Sequence, residues 1–380
     1  MFTREDTKAV KGIAVILMLF HHLAGFTSRL PVDFAFVSIW KGFVEDGYLK
    51  SFALGANICV SIFFFLGGYG LYKRYEEGRF SLSKSIISLY KQYWKVFFIF
   101  VPIAFIFFAR TGEDINALCT RYVIKDTKDF ISAVLGNFTA YSDSFNKEWW
   151  FLASYLCILP LGYLFCQATK KCKNFVQCMF IVIIIDIFIR SVFPALPNIT
   201  VLNSLGSNAF YSRFFKITDF ASVFFAGIIF ARYDMLVKLK KRISSITFKN
   251  IACIVGFAVI IWCRSFIAGK ELDIIYTPFF IAFVSILIDN VKGIKKGFTV
   301  LGKHSLNIWL IHTFYCYYFL EATKVVYITK IVWIDLLILL EMSLLTSILL
   351  ELLYQYLGKV WSQIKGRIAK KNVEIPKEVL

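Results

Sequence analysis

Residues 333–353 read WIDLLILLEMSLLTSILLELL, an apolar run whose only charged residues are Asp335, Glu341 and Glu351. About 20 such residues, wound as an α-helix, cross the hydrocarbon core of a bilayer. A soluble core could bury one segment of this kind, but the chain repeats the pattern, as in CMFIVIIIDIF at 178–188. Of the 380 residues 58% are hydrophobic, 42 are Phe, and the mean hydropathy is +0.66. Soluble domains are nearer 45–50% apolar. The reading is therefore an all-α, polytopic membrane helix bundle.

Working outward from that run, ten apolar spans are expected: 10–27, 52–72, 93–110, 149–168, 175–193, 215–232, 250–268, 273–291, 299–319 and 332–357. DFISAVLGNFTAY (129–141) is too short and polar to cross, and reads as an interfacial or re-entrant helix. Ten spans put both termini on one side, and the positive charges say which. With the N-terminus cytoplasmic, 28 of the 43 Lys and Arg residues fall in cytoplasmic segments. The net charge of +18 thus belongs to topology and not to nucleic-acid binding. The first apolar run reads as a retained helix opened by Lys11, without a small-residue cleavage site. One membrane domain is expected over 1–361, with a short basic cytoplasmic tail over 362–380. The nine cysteines show no CxxC and no Cys/His spacing for zinc, so no metal is expected. The stretches SIFFFLGGY and SVFFAGIIF are alike, but too short to count as a repeat.

An ionisable residue inside a bilayer is costly, which makes it a candidate for function. KGIAVILMLFHH (11–22) begins with a lysine and ends in two of the four histidines. At about 100° per residue, Lys11, Val15, Met18 and His22 share one helix face and His21 falls about 80° away. The rise from Lys11 to His22 is about 16 Å, half the membrane core. One stripe therefore carries a cation at the mouth and an imidazole past the midplane. His312, about twelve residues into the ninth span, should reach nearly the depth of His22. Either imidazole could instead be a satisfied structural group, with Lys11 snorkelling. Asp186 and Arg190 have the spacing of an ion pair. Asn57 and Asn307 are placed for bonds between helices, and Glu341 has no evident partner. Glu148, Asp219 and Arg264 fall near outer ends, where they are candidates to line an opening. Lys91 and Lys95, beside Tyr90, Tyr93 and Trp94, fit either phosphate and base binding or lipid headgroups.

Four stretches together resemble the membrane acyltransferase type 3 family. Lys11 and His22 resemble its Arg/Lys-x10-His signature in the first helix. ANICVSIFFFLGGYGLY (56–72) is similar to its second-helix motif, EWWFLASYL (148–156) to its Trp-Phe/Tyr-Leu stretch, and VLGKHSLNIWLIHTF (300–314) to its late segment ending in His. Gly67 stands where the family usually has Ser, and Lys91 and Lys95 replace its Arg-x-x-Arg at a different spacing. The resemblance implies a multi-pass enzyme of the bacterial cytoplasmic membrane. It would move an acyl group, usually acetyl, from cytoplasmic acetyl-CoA or another acyl-CoA to a carbohydrate hydroxyl of a cell-surface or exopolysaccharide glycan. It also implies that Lys11, Lys91 and Lys95 attract the phosphates of CoA and that His22 serves as general base or takes the acyl group first. His312 or a polar neighbour would orient it. From the residues alone, a transporter or flippase for a lipid-linked or small substrate is the alternative. Paired repeats and broken helices, frequent in transporters, are not evident.

Overall fold

The computed structural model describes residues 2–30, 34–37, 41–108, 127–199, 218–267 and 270–373, with 202, 204, 211 and 214. Among these there is no strand, and eight helices are long and apolar enough to cross a membrane. Helix α1 (Arg4–Gly25) starts earlier than its apolar run does. Thr3 and Asp6 explain this with a capping box: the Thr3 hydroxyl accepts from the Asp6 amide (3.1 Å), and the Asp6 carboxylate accepts from the Thr3 amide (2.7 Å). Eight of the ten expected spans coincide with these long helices. The third and seventh, 93–110 and 250–268, run at their ends beyond the described residues.

The other two expected spans take different forms. The sixth is a short helix, α7 (Ala221–Arg232), and residues 215–217 before it lie outside the described residues. The ninth is divided. Helix α11 (Lys292–Lys303) ends at His304, α12 (Ser305–Thr313) follows, and a π-turn covers Phe314–Tyr318. The segment read as an interfacial or re-entrant helix is helical, α4 (Thr127–Phe138). The other described helices of ten or more residues are α2 (Ile58–Glu76), α3 (Leu82–Ile103), α5 (Trp150–Ala168), α6 (Phe175–Ile187), α8 (Met235–Ser244), α9 (Lys249–Phe266), α10 (Asp273–Asp289) and α13 (Val332–Val373). Helix α13 passes residue 361 without a break, and residues 374–380 of the expected tail lie outside the described residues.

Burial sorts the helices. In α7 every residue from Ala221 to Ala231 is buried, and α1 and α2 are largely so. The most apolar helices, α6 and α13, leave Phe180, Ile184, Leu337, Leu345 and Leu349 exposed. In a bilayer that is the expected partition, since lipid tails solvate Leu as well as a protein core does. The close crossings use small residues instead. The two FF-containing stretches meet here: a Cβ on Gly68 would strike the Phe224 carbonyl, and one on Gly227 would strike the Phe65 carbonyl. α2 and α7 therefore pack backbone to backbone through reciprocal glycines. Glu341 lies on the exposed stripe of α13.

Candidate functional site

The far end of α1 carries a buried aromatic and imidazole cluster. His22 and His312 approach with ring centroids 4.9 Å apart, and both are buried. The His312 Nδ1 lies 3.1 Å from the Ile308 carbonyl and 2.9 Å from that of Trp309, so it carries the proton and donates. Its Nε2 is then a lone pair, buried and without a hydrogen-bond partner. The His22 Nδ1 is also buried without a hydrogen-bond partner, 3.8 Å from Glu148 Oε1. Two unpaired imidazole nitrogens in a buried site are costly for a structure and useful to a reaction.

His21 is occupied elsewhere. Its Nδ1 donates to the Ala53 carbonyl (2.8 Å) and its Nε2 accepts from the Asn57 amide (3.1 Å). The 80° offset in the helix is enough to send adjacent histidines to different neighbours.

Glu148 reaches the cluster because the segment before α5 is fastened to α12. The Trp309 indole donates to the Glu148 carbonyl (3.3 Å), and the Trp149 indole donates to the Leu310 carbonyl (3.0 Å). Asn146 caps the turn, accepting from the Glu148 amide (3.1 Å) and from Thr313 (3.0 Å). The Glu148 carboxylate accepts from Arg29 Nη1 at 2.7 Å. Burial disfavours the Arg29 cation, but the adjacent Glu148 more than offsets this and raises its pKa. The guanidinium also lies 4.2 Å from the centre of the Tyr317 ring and donates to the Tyr318 hydroxyl (3.2 Å). The π-turn, one residue wider per turn than an α-helix, brings both tyrosines to this point, and the Tyr317 hydroxyl donates to the His22 carbonyl.

At the other end of α1 lies a cavity of about 1130 Å³. Lys11 lines it, with Arg4, Lys8, Lys73, Arg74, Arg79 and Lys303, against only Glu76, Glu77 and Asp234. Lys73 pairs with Glu76 (3.2 Å) and Asp234 (3.1 Å), and Arg79 pairs with Glu77. The surplus cations give the cavity a positive potential suited to an anion. Phe2, Tyr69 and Tyr155 supply aromatic walls. Tyr155 fills the space beside Gly67, its hydroxyl 2.7 Å from where a Cβ would sit.

The expected site residues thus fall into three places. His22 and His312 meet, and Lys11 stands in the basic cavity. Lys91 and Lys95 do not line that cavity: Lys91 is exposed on α3, and the Lys95 Nζ lies over the Tyr354 ring at 5.4 Å. His22 is not in the cavity lining either. Val15 and Met18, on the stripe between Lys11 and His22, are fully buried. Arg29 and the basic run Lys73, Arg74 and Arg79 carried no sequence signal beyond charge. Asp186 and Arg190 do pair (2.8 Å), and Arg190 also reaches Asp219 (3.2 Å). Asn307 accepts from Gln92 and donates to Ser347 (2.9 Å). Among the described residues no group of His, Cys, Asp and Glu is placed to hold a metal ion.

A family model described as an acyltransferase domain matches residues 6–352. No curated protein and no solved structure gave a match.

Proposed function

Since the chain belongs to the membrane acyltransferase type 3 family, we propose that it moves an acetyl group from cytoplasmic acetyl-CoA to a hydroxyl of a cell-surface glycan. The supporting observation is the pair His22 and His312, with unpaired nitrogens and Glu148 alongside. The basic cavity around Lys11 holds the phosphates of CoA, and its tyrosines flank the adenine. The pantetheine arm parts the packing at Val15 and Met18 and brings the thioester about 16 Å along α1 to His22.

His22 takes the proton of the acceptor hydroxyl as the oxygen attacks the thioester carbonyl carbon. The carboxylate of Glu148 stabilises the imidazolium that results. The C–S bond then breaks, and the proton passes to the CoA thiolate. The His312 Nε2 accepts a hydrogen bond and orients the incoming group. Initial attack by His22 itself, followed by transfer from an acyl-imidazole, uses the same atoms.

The test is transfer of label from acetyl-CoA in membranes containing the full chain, with the host's surface glycans as acceptor. His22→Ala should abolish label in glycan while acetyl-CoA binding persists, and His21→Ala should keep most of the activity. Activity that survives His22→Ala and disappears with His21→Ala would overturn the assignment.

A further inference from the structure

A second cavity, about 440 Å³, opens at the opposite end of the bundle. The basic cavity is lined by the last turns of α2, through Lys73 and Arg74, whereas this one is lined by Leu54, Gly55 and Asn57, just before α2 begins. Along α2 the lining of the basic cavity begins at Leu66, nine residues after Asn57, so about 14 Å of helix separates the two linings. Trp150, Asp219, Arg264 and Lys270 complete its polar and aromatic wall.

The charges of this wall are already matched. Arg264 holds Asp273 with two nitrogens (2.8 and 2.9 Å) and donates to the Gly55 carbonyl (2.7 Å). Asp219 accepts from Lys270 (2.5 Å) and Arg190 (3.2 Å). The basic cavity, by contrast, leaves Arg4, Lys8, Lys11, Arg74 and Lys303 without a carboxylate partner among the described residues. A phosphorylated or carboxylated ligand gains little from cations already neutralised. A neutral ligand rich in hydroxyls loses nothing and finds donors and acceptors in fixed positions. The half-buried Trp150 ring, backed by Phe220 at 5.8 Å, offers a flat apolar face to the C–H side of a pyranose ring. Asn57 joins this cavity to the imidazole cluster: it bonds His21, whose ring centre is 4.9 Å from that of His22.

We infer that this cavity holds a neutral carbohydrate segment of the acceptor, with one sugar ring against Trp150 and its hydroxyls toward Asn57, Arg264 and Lys270. The inference rests on the glycan-acceptor reading above. Donor and acceptor then enter from opposite ends of the bundle, and their reacting groups meet near His22.

The experiment uses full-length protein in membranes, with two readouts: binding of labelled acetyl-CoA and transfer of label to glycan. Trp150→Ala should leave acetyl-CoA binding unchanged and lower transfer at least tenfold, and Trp150→Phe should restore most of it. Should Trp150→Ala lose acetyl-CoA binding as well, Ser265→Cys decides. This residue lines the cavity and can be capped after folding with a membrane-impermeant maleimide. Capping should lower transfer at least tenfold relative to wild type treated in the same way. Undiminished transfer by capped Ser265→Cys, or by folded Trp150→Ala, would overturn the inference. So would recovery of the acetyl label on uronic acid or phosphorylated sugars after hydrolysis of the glycan. A wild type that binds acetyl-CoA but labels no glycan is a different result, because it removes the glycan-acceptor reading itself.

Discussion

Glu148→Gln isolates the charge next to His22 while keeping its shape. The amide oxygen of Gln can still accept from Arg29, so the 2.7 Å contact survives in neutral form. What is lost is attraction between the carboxylate and an imidazolium formed during transfer. With an effective dielectric constant of 20, two unit charges 3.8 Å apart, the separation of His22 Nδ1 and Glu148 Oε1, attract by about 4 kcal/mol. Arg29 already neutralises part of that carboxylate, so the net loss should fall to about 1.5–3 kcal/mol, or 10- to 100-fold in rate. The assay is the initial rate of acetyl transfer to glycan at saturating acetyl-CoA, with acetyl-CoA affinity measured on the same preparation. A transfer rate within twofold of wild type would refute the electrostatic role given to Glu148. Loss of acetyl-CoA binding in parallel would point to collapse of the site and refute it equally.

Three further outcomes are expected. Val15→Trp overpacks the stripe between the basic cavity and His22 and blocks its parting, so transfer should fall at least tenfold while acetyl-CoA still binds through its phosphates; unimpaired transfer would place the donor path elsewhere. Asp273→Asn unpairs Arg264, which is buried with it, at a cost of about 3–5 kcal/mol. The melting temperature in detergent should drop accordingly, and an unchanged value would contradict the pairing. Gly227→Leu places a side chain against the Phe65 carbonyl and should prevent α7 from seating on α2, seen as aggregation on size-exclusion chromatography; a monodisperse variant with wild-type thermal stability would show that this crossing tolerates separation.

The membrane class and eight of the helices were legible because lipid imposes a simple one-dimensional rule: about 20 apolar residues in sequence. The rule fails where the chain is not surrounded by lipid. Helix α7 is enclosed by other helices on every side, so it need not span the full apolar thickness by itself. The region around His312 is likewise enclosed, and its π-turn breaks the regular helix that hydropathy alone predicts.

The same division runs through the candidate site. Helix periodicity alone put Lys11 and His22 on one face and turned His21 aside, because both relations lie within one rigid element whose geometry is fixed by its own hydrogen bonds. It also set His312 at a similar depth. No such rule links residues on different helices. That Glu148 stands beside His22, that Arg29 holds the same carboxylate, and that Arg74 rather than Lys91 or Lys95 joins Lys11 follow from helix crossings set by glycines such as Gly68 and Gly227 and by the indole bonds of Trp149 and Trp309. Those contacts depend on which surfaces fit together over long separations in sequence, and only the assembled bundle contains that information.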